Sequence, residues 1–332
     1  MRIMNRVIFC VLMFILFIVL SWKPAADQPW KRETKNRPLR IMLISDLNGA
    51  YGSLAYSSDV SAVISEASRI RPDLILCGGD MVAGQKNTLT EDHLNAMWAG
   101  FKQVVFDPLT AQKIPFGFTL GNHDASPGFI KDRAVAAQFW KTHKANTGLT
   151  FVDDSHYPFY FSYLKNNVFF MSWDASGAKI DPELYRWMEA QLARPAAKKA
   201  RMRILLGHLP LYAIVAAKNK PGEVNAAADS ALAFFKKKGI DLYISGHQHA
   251  YYPAAKNGVS LLNAGCIGDG PRPLLGHAFP AKKAYTLIEI PVKKPHQFKE
   301  QSFIPQSNEQ IAVMTLPDSV SGFNGTIYRR NQ

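Results

Sequence analysis

The chain has 332 residues, 47% of them hydrophobic, and a formal charge of +13 from 39 Lys and Arg against 26 Asp and Glu. That is enough apolar material for one large core, and three cysteines without a spacing pattern argue against a disulfide framework. Residues 1–40 hold eight basic and two acidic side chains, and the modest excess elsewhere includes no contiguous basic, aromatic-rich stretch of the kind a nucleic-acid groove needs.

Residues 7–22 carry no charge and follow Arg2 and Arg6, the pattern of a secretory signal or signal anchor. At 1.5 Å per residue the run covers roughly 24 Å of a hydrocarbon core of about 30 Å, and Trp22 and Lys23 extend it at the interface. Pro24-Ala25-Ala26 puts proline where a signal cleavage site needs a small residue, which favours an uncleaved anchor. Residues 23–38 read as a basic linker. The short Arg-bearing tail is placed inside, leaving the body facing the periplasm or exterior. The six Lys and Arg at residues 23–40 pull the other way, so a cytoplasmic face stays open.

The body reads as one domain over residues 39–293, with no repeat, followed by a polar extension at 294–332 that carries no signal. A strand at 40–44 leads to Asp46. A helix capped by Ser58 or Asp59 follows, with Val60, Val63, Ile64, Ala67 and Ile70 at helical spacing. Pro72 stops it, a strand at 74–77 presents Asp80, and a helix at 91–106 returns the chain to an apolar run at 116–120. A further helix lies between Phe129 and His143, with Phe139 and Trp140 as packing residues. Segments 157–164 and 168–173 read as a hairpin, and Asp174 as a turn or helix-start residue. A helix at 182–192, a strand at 203–206, a helix at 226–238 and a strand at 242–244 come next. Asn257-Gly258 joins a hairpin of 251–255 and 259–262, and a strand at 284–290 closes the sheet. Lys198, Lys199, Arg201 and Lys236 to Lys238 read as solvated helix ends.

One grammar repeats along this body. Five apolar runs end in Asp46-Leu47-Asn48, Gly79-Asp80, Gly121-Asn122-His123-Asp124, Gly207-His208 and Gly246-His247-Gln248-His249. Any one of these is ordinary turn chemistry, because Gly and Asn tolerate positive φ. Turns alone, however, do not call for carboxylate, amide and imidazole groups five times at the same end of the strands. Ligands of an open α/β sheet bind at the carboxyl ends of its strands, so the conjunction indicates a polynuclear metal site.

In order and in strand context these five blocks resemble the signature of the calcineurin-like metallophosphoesterases. The resemblance implies an α/β fold, a four-layer α/β/β/α sandwich with the metal site at the carboxyl ends of the strands. It also implies two divalent ions, from among Mn, Fe, Zn and Mg. Asp80 would bridge them, Asp46 and His249 would hold the first, and Asn122, His208 and His247 the second. His123 would donate to a phosphate oxygen or to the leaving group and be oriented by Asp124. The departure is Asn48, where the family has histidine. Three readings stand: Asn48 ligates through its oxygen, a water or Tyr51 completes the shell, or the site works with one metal. His247 and His249, at i and i+2 on an extended segment, would face opposite ways and suit two ions. Arg272, in the Gly-rich loop 265–276, is the outer candidate for gripping phosphate.

Paired ions about 3.5–4 Å apart acidify a water and neutralise phosphoryl oxygens, so that hydroxide attacks phosphorus in line without a protein nucleophile. The function expected is that of a phosphodiesterase or phosphatase acting on a small or membrane-associated phosphate ester. The alternatives are a nuclease and a non-catalytic metal-binding scaffold with a decayed site.

Overall fold

The computed structural model describes residues 37–277 and 280–330. The expected anchor at residues 1–22 lies outside them, and no helix among the described residues is long and apolar enough to cross a membrane. In chain order the strands are β1 (Leu39–Ile44), β2 (Leu74–Cys77), β3 (Phe116–Phe118), β4 (Thr150–His156), β5 (Tyr160–Lys165), β6 (Val168–Ser172) and β7 (Met202–Leu206). There follow β8 (Leu242–Ser245), β9 (Tyr252–Lys256), β10 (Val259–Asn263), β11 (Tyr285–Ile290), β12 (Lys299–Phe303), β13 (Ser319–Gly322) and β14 (Gly325–Arg329). The helices are α1 (Ser58–Ile70), α2 (Glu91–Phe101), α3 (Asp107–Ala111), α4 (Asn122–Ala125), α5 (Ile130–His143), α6 (Pro182–Ala193), α7 (Pro195–Lys199) and α8 (Ala228–Lys238).

The strands form a five-stranded sheet in the order β12-β11-β1-β2-β3 and a nine-stranded sheet in the order β13-β14-β9-β10-β8-β7-β6-β5-β4. The layering follows from alternation along fully apolar strands, which have no face to offer water. In β6, Val168 and Phe170 join the core shared with the first sheet, whereas Phe169 and Met171 join a second core with Leu184 and Met188 of α6 and Leu232 and Phe235 of α8. Ile204 and Leu206 of β7 likewise face one way and Leu205 the other. With α1, α2 and α5 contributing Val63, Trp98 and Trp140 to the first core, the order is helix, sheet, sheet, helix. Trp140 is fully buried and stacks on Phe118 at 3.8 Å between ring centroids.

Several boundaries differ from expectation. The N-cap of α1 is Ser57, ahead of the expected Ser58 or Asp59. The helix expected at 91–106 is α-helical only to Phe101 and widens to a π-turn over Lys102–Phe106. β11 does not close its sheet: it pairs with β1 on one side and β12 on the other. The residues after 293 add edge strands to both sheets, β12 to the first and β13 and β14 to the second, and Arg330 reaches across to Glu300 of β12 at 2.6 Å. β4 was not foreseen because none of its residues is fully buried, so it lacks the apolar alternation that reveals a strand. Asp174, expected as a turn residue, has a partner in Arg133 at 2.7 Å.

Parallel pairing of β1, β2 and β3, and of β6, β7, β8 and β10, points the carboxyl ends within each set the same way. The loops that leave those ends carry Asp46, Asp80, Asn122, His208 and His247.

Candidate metal centre

At the ends of β1, β2 and β8 the backbone turns sharply. Asp46 (φ 52°), Asp80 (φ 53°), His247 (φ 69°) and His249 (φ 54°) all adopt the left-handed region, at a cost of about 1–2 kcal/mol each for side chains of this kind. Neighbouring backbone holds them there: Asp46 N donates to Gly79 O (3.0 Å), Leu47 N to Asp80 O (2.9 Å) and Gly246 N to His208 O (2.9 Å). Two glycines let the strand ends crowd together. A Cβ on Gly121 would collide with the Asp80 carboxylate, and one on Gly246 would come within 2.7 Å of Asp46 Oδ2.

Two groups of ligand atoms result, Asp46, Asp80 and His249 on one side and Asp80, His208 and His247 on the other, each within 4.8 Å. Asp80 belongs to both. Its Oδ2 lies 3.1 Å from His208 Nε2, and Asp46 Oδ1 lies 3.2 Å from His249 Nε2. Asn122 joins the second group, its Oδ1 being 3.0 Å from His208 Nε2 and 2.7 Å from His247 Nδ1. His247 and His249 thus enter different groups as expected, but for another reason. Their segment is a turn with Gln248 N donating to Gly246 O (2.8 Å), not an extended strand with alternating side chains.

The outer nitrogens of the three histidines test whether this set fits cations. His208 Nδ1 donates to Gly78 O at 2.7 Å, and His249 Nδ1 faces Asp269 O and Gly270 O, both at 3.0 Å. His247 Nε2 lies 2.7 Å from Glu223 Oε2, which can only accept when ionised, and 3.1 Å from Lys218 Nζ. A neutral imidazole has one N–H, so with that proton outside, each inner nitrogen would present a lone pair to a bound cation. The inner nitrogens face carboxylate and amide oxygens at 2.7–3.2 Å. Positive charge has to stand among these atoms, supplied by a bound cation or, without one, by the proton that Asp80 draws onto His208, and outer nitrogens tied to oxygen are how metal-ligating histidines are set. Asn48 adds to the fit, being only 6% exposed with an Oδ1 that has no hydrogen-bond partner among the described residues.

Charge within the cluster moves the titrations. Burial pulls the His208 imidazole down, but the charge of Asp80 outweighs it and lifts the group to about 9. Burial pushes Asp80 up, and the neighbouring His208 and His123 overcome that and hold it well below the usual carboxylate range. Burial keeps His247 low, at about 3, while the hydrogen bond from His247, aided by Lys218, brings Glu223 down to about 2, so a neutral ring donates to an ionised carboxylate.

His123 lines the mouth. Its backbone N–H donates to Asp80 Oδ1 (2.8 Å), and its Nε2 is 4.0 Å from Asp80 Oδ2. The expectation that Asp124 orients this ring is corrected: His123 Nδ1 faces Gly84 O at 3.3 Å. Asp124 is fully buried and instead accepts from the N–H groups of Met81 (2.8 Å), Val82 (3.0 Å) and Gly121 (2.8 Å). Successive residues of a helical turn project about 100° apart, so one carboxylate cannot serve the turn below it and the adjacent imidazole. Burial, then the charge of Asp80, pushes the Asp124 carboxyl up to about 7.

One further expectation changes. Arg272 turns its Nη1 to His247 O (3.3 Å) and lines a separate cavity of about 250 Å³ with Tyr251, Leu274 and Ile311, so it does not reach into the cleft over the ligand atoms. Tyr51 is 57% exposed and its ring lies against that of His123. The cleft itself, about 650 Å³, takes its cations from Lys179 and Lys218. Sequence reasoning missed Glu223, Lys218 and Gln85. Lys218 Nζ lies 3.0 Å from Glu223 Oε2, and Gln85 Oε1 accepts from Asn122 Nδ2 (2.6 Å), which turns the Asn122 oxygen inward. None of the three stands at a strand end, where the repeated signal lies.

The geometry agrees with what the chain resembles among known proteins. A family model for calcineurin-like phosphoesterases matches residues 39–251. Purple acid phosphatase 22 of Arabidopsis thaliana is 25% identical over 211 residues, 60% of this chain and 43% of its own, so the chain spans less than half the length of that curated relative. A dimetal phosphatase from Danio rerio superposes with a TM-score of 0.51 at 12% identity, covering 81% of this chain and all of its own. GAP50, the anchor in the inner membrane complex of Plasmodium, does so at 0.47 and 14%, covering 83% and 88%. With five strand ends converging on one cluster and a family match over most of the body, the chain belongs to the calcineurin-like phosphoesterase family.

Proposed function

We propose that this protein is a metal-dependent hydrolase of a small or membrane-associated phosphate ester, a phosphatase or phosphodiesterase, held at a membrane by residues 1–22 with its body facing the periplasm or exterior. The observation that carries the catalytic reading is the convergence of two ligand groups in which three histidines have their outer nitrogens tied to oxygen and their inner nitrogens turned to the cluster. Family membership supports it, since these enzymes depend on a dinuclear metal. The uncharged run at 7–22 supports the membrane reading.

In this proposal Asp46, Asp80 and His249, with Asn48 beside them, hold one divalent ion, and Asp80, Asn122, His208 and His247 hold the other. When bound, such ions supply positive charge to the phosphoryl oxygens and acidify a water. The chain's own groups do the rest. Gly84 O fixes the ring proton of His123 on Nδ1, so Nε2, at the cleft, carries the second proton and passes it to the departing oxygen. Lys218 and Lys179 add positive charge where an anionic ester enters.

The test is turnover of p-nitrophenyl phosphate and bis-p-nitrophenyl phosphate by protein loaded with Mn, Mg, Fe or Zn. Hydrolysis of neither ester with any metal would defeat the reading.

Two variants examine the ligand set. Glu223→Ala is expected to weaken metal binding by roughly 10- to 100-fold through loss of the His247 anchor, with Glu223→Gln retaining more; equal metal content after chelator dialysis would show the anchor to be dispensable. Asn48→His is expected to tighten retention by on the order of tenfold, because imidazole is the stronger donor to transition metals. Unchanged metal content and activity in that variant would place Asn48 outside the coordination shell.

A further inference from the structure

We propose that Tyr51 is the stacking wall of a leaving-group subsite, and that this enzyme prefers esters whose leaving group is a planar aromatic ring. The inference rests on the phosphoesterase reading above and narrows its substrate class.

Tyr51 presents a large aromatic side chain, 57% exposed, at the mouth of the cleft, and its loop is not slack. Ser53 N donates to Ala50 O (2.8 Å), Gly52 N to Ala83 O (2.7 Å) and Asp269 N to Asn48 O (3.1 Å), while His93 Nε2 meets Gly52 O at 2.7 Å. The turn is pinned on both sides of Tyr51, so its ring is presented in place.

Its position relative to the chemistry is specific. The ring lies 4.8 Å from that of His123, tilted by 45°. His123 is the group that serves the leaving oxygen, so whatever that oxygen carries extends beside Tyr51. The cleft that both rings line is also walled by Pro127, Gly128 and Phe129 of one loop and Gly177 and Ala178 of another. The two loops nearly touch, since a Cβ on Gly177 would come within 3.2 Å of Pro127. These walls are small or aromatic and carry no charge. Of the cleft's two lysines, Lys218 is occupied by Glu223 (3.0 Å) and Lys179 alone has no such pairing among the cleft residues. A flat ring between Tyr51 and these walls matches that lining, and aromatic pairs gain beyond area burial.

The experiment compares kcat/KM of the metal-loaded wild type, Tyr51→Ala and Tyr51→Phe on phenyl and ethyl phosphate, and on the diphenyl and diethyl esters, so that either ester class serves. Tyr51→Ala is expected to lower the aryl-to-alkyl ratio by roughly tenfold, mostly through KM, and Tyr51→Phe to restore it. A Tyr51 that only held His123 would act the other way, because an alkyl oxygen needs the proton more, and the ratio would rise. A ratio that rises or stays level overturns the proposal. Binding of phenylphosphonate, which has no ester to cleave, separates the two readings. If the wild type hydrolyses nothing, the phosphoesterase reading falls, yet binding about tenfold weaker in Tyr51→Ala would still uphold the subsite, and equal binding would remove it.

Discussion

Asp80→Ala is expected to lose both ions and to lower kcat/KM on any accepted phosphate ester by on the order of 10⁴. Asp80 is the one side chain common to both ligand groups, and each of its oxygens has a task. Oδ2 faces His208 at 3.1 Å, while Oδ1 accepts the backbone N–H of His123 at 2.8 Å and so ties the β3 turn to the β2 turn. No other carboxylate can take its place, since Asp46 is committed to His249 and to the backbone N–H of His247. The variant should still fold. Truncation removes a buried charge instead of leaving one behind, and His208, which owes its rise to about 9 to Asp80, reverts to a neutral buried ring. Metal analysis beside a far-ultraviolet dichroism spectrum checks this. A folded variant with two ions per chain would refute the shared role of Asp80.

His123→Ala is expected to separate turnover from metal. The imidazole lies 4.0 Å from Asp80 Oδ2 and belongs to neither ligand group, so metal content should stay at the wild-type level. General acid catalysis contributes about 10²–10⁴, and the size of the loss should depend on the leaving group. Nitrophenolate departs as a stable anion and needs little help, whereas an alkoxide must be protonated. The variant should therefore lose roughly 10-fold on p-nitrophenyl phosphate and about 10³-fold on an alkyl phosphate. Equal losses on both would mean that His123 binds the phosphoryl group and does not serve the leaving oxygen.

These two expectations rest on residues that could be read from the chain. Asp46, Asp80, Asn122, His208, His247 and His249 were legible because each follows a short apolar run, and such a run, buried on both faces, leaves its first polar residues only the sheet edge to occupy. The same local logic marked the core face of α1, where spacing along one helix selects the buried stripe. It failed for β4, β12, β13 and β14. Those lie toward the outer edges of their sheets and are half exposed, and half-exposed edge strands carry weak patterns.

The order of strands along the chain and the chemistry at their ends therefore follow from short-range composition. Which oxygen serves which nitrogen does not. Glu223 meets His247 across 24 residues and Gln85 meets Asn122 across 37, each through a loop whose course depends on what it packs against. For the same reason Asp124 turned from His123 to the backbone of the β2 turn, Arg272 turned away from the cleft, and Tyr51 came to rest on His123. A side chain's direction is set by the walls around it, and those walls exist only once distant segments have come together.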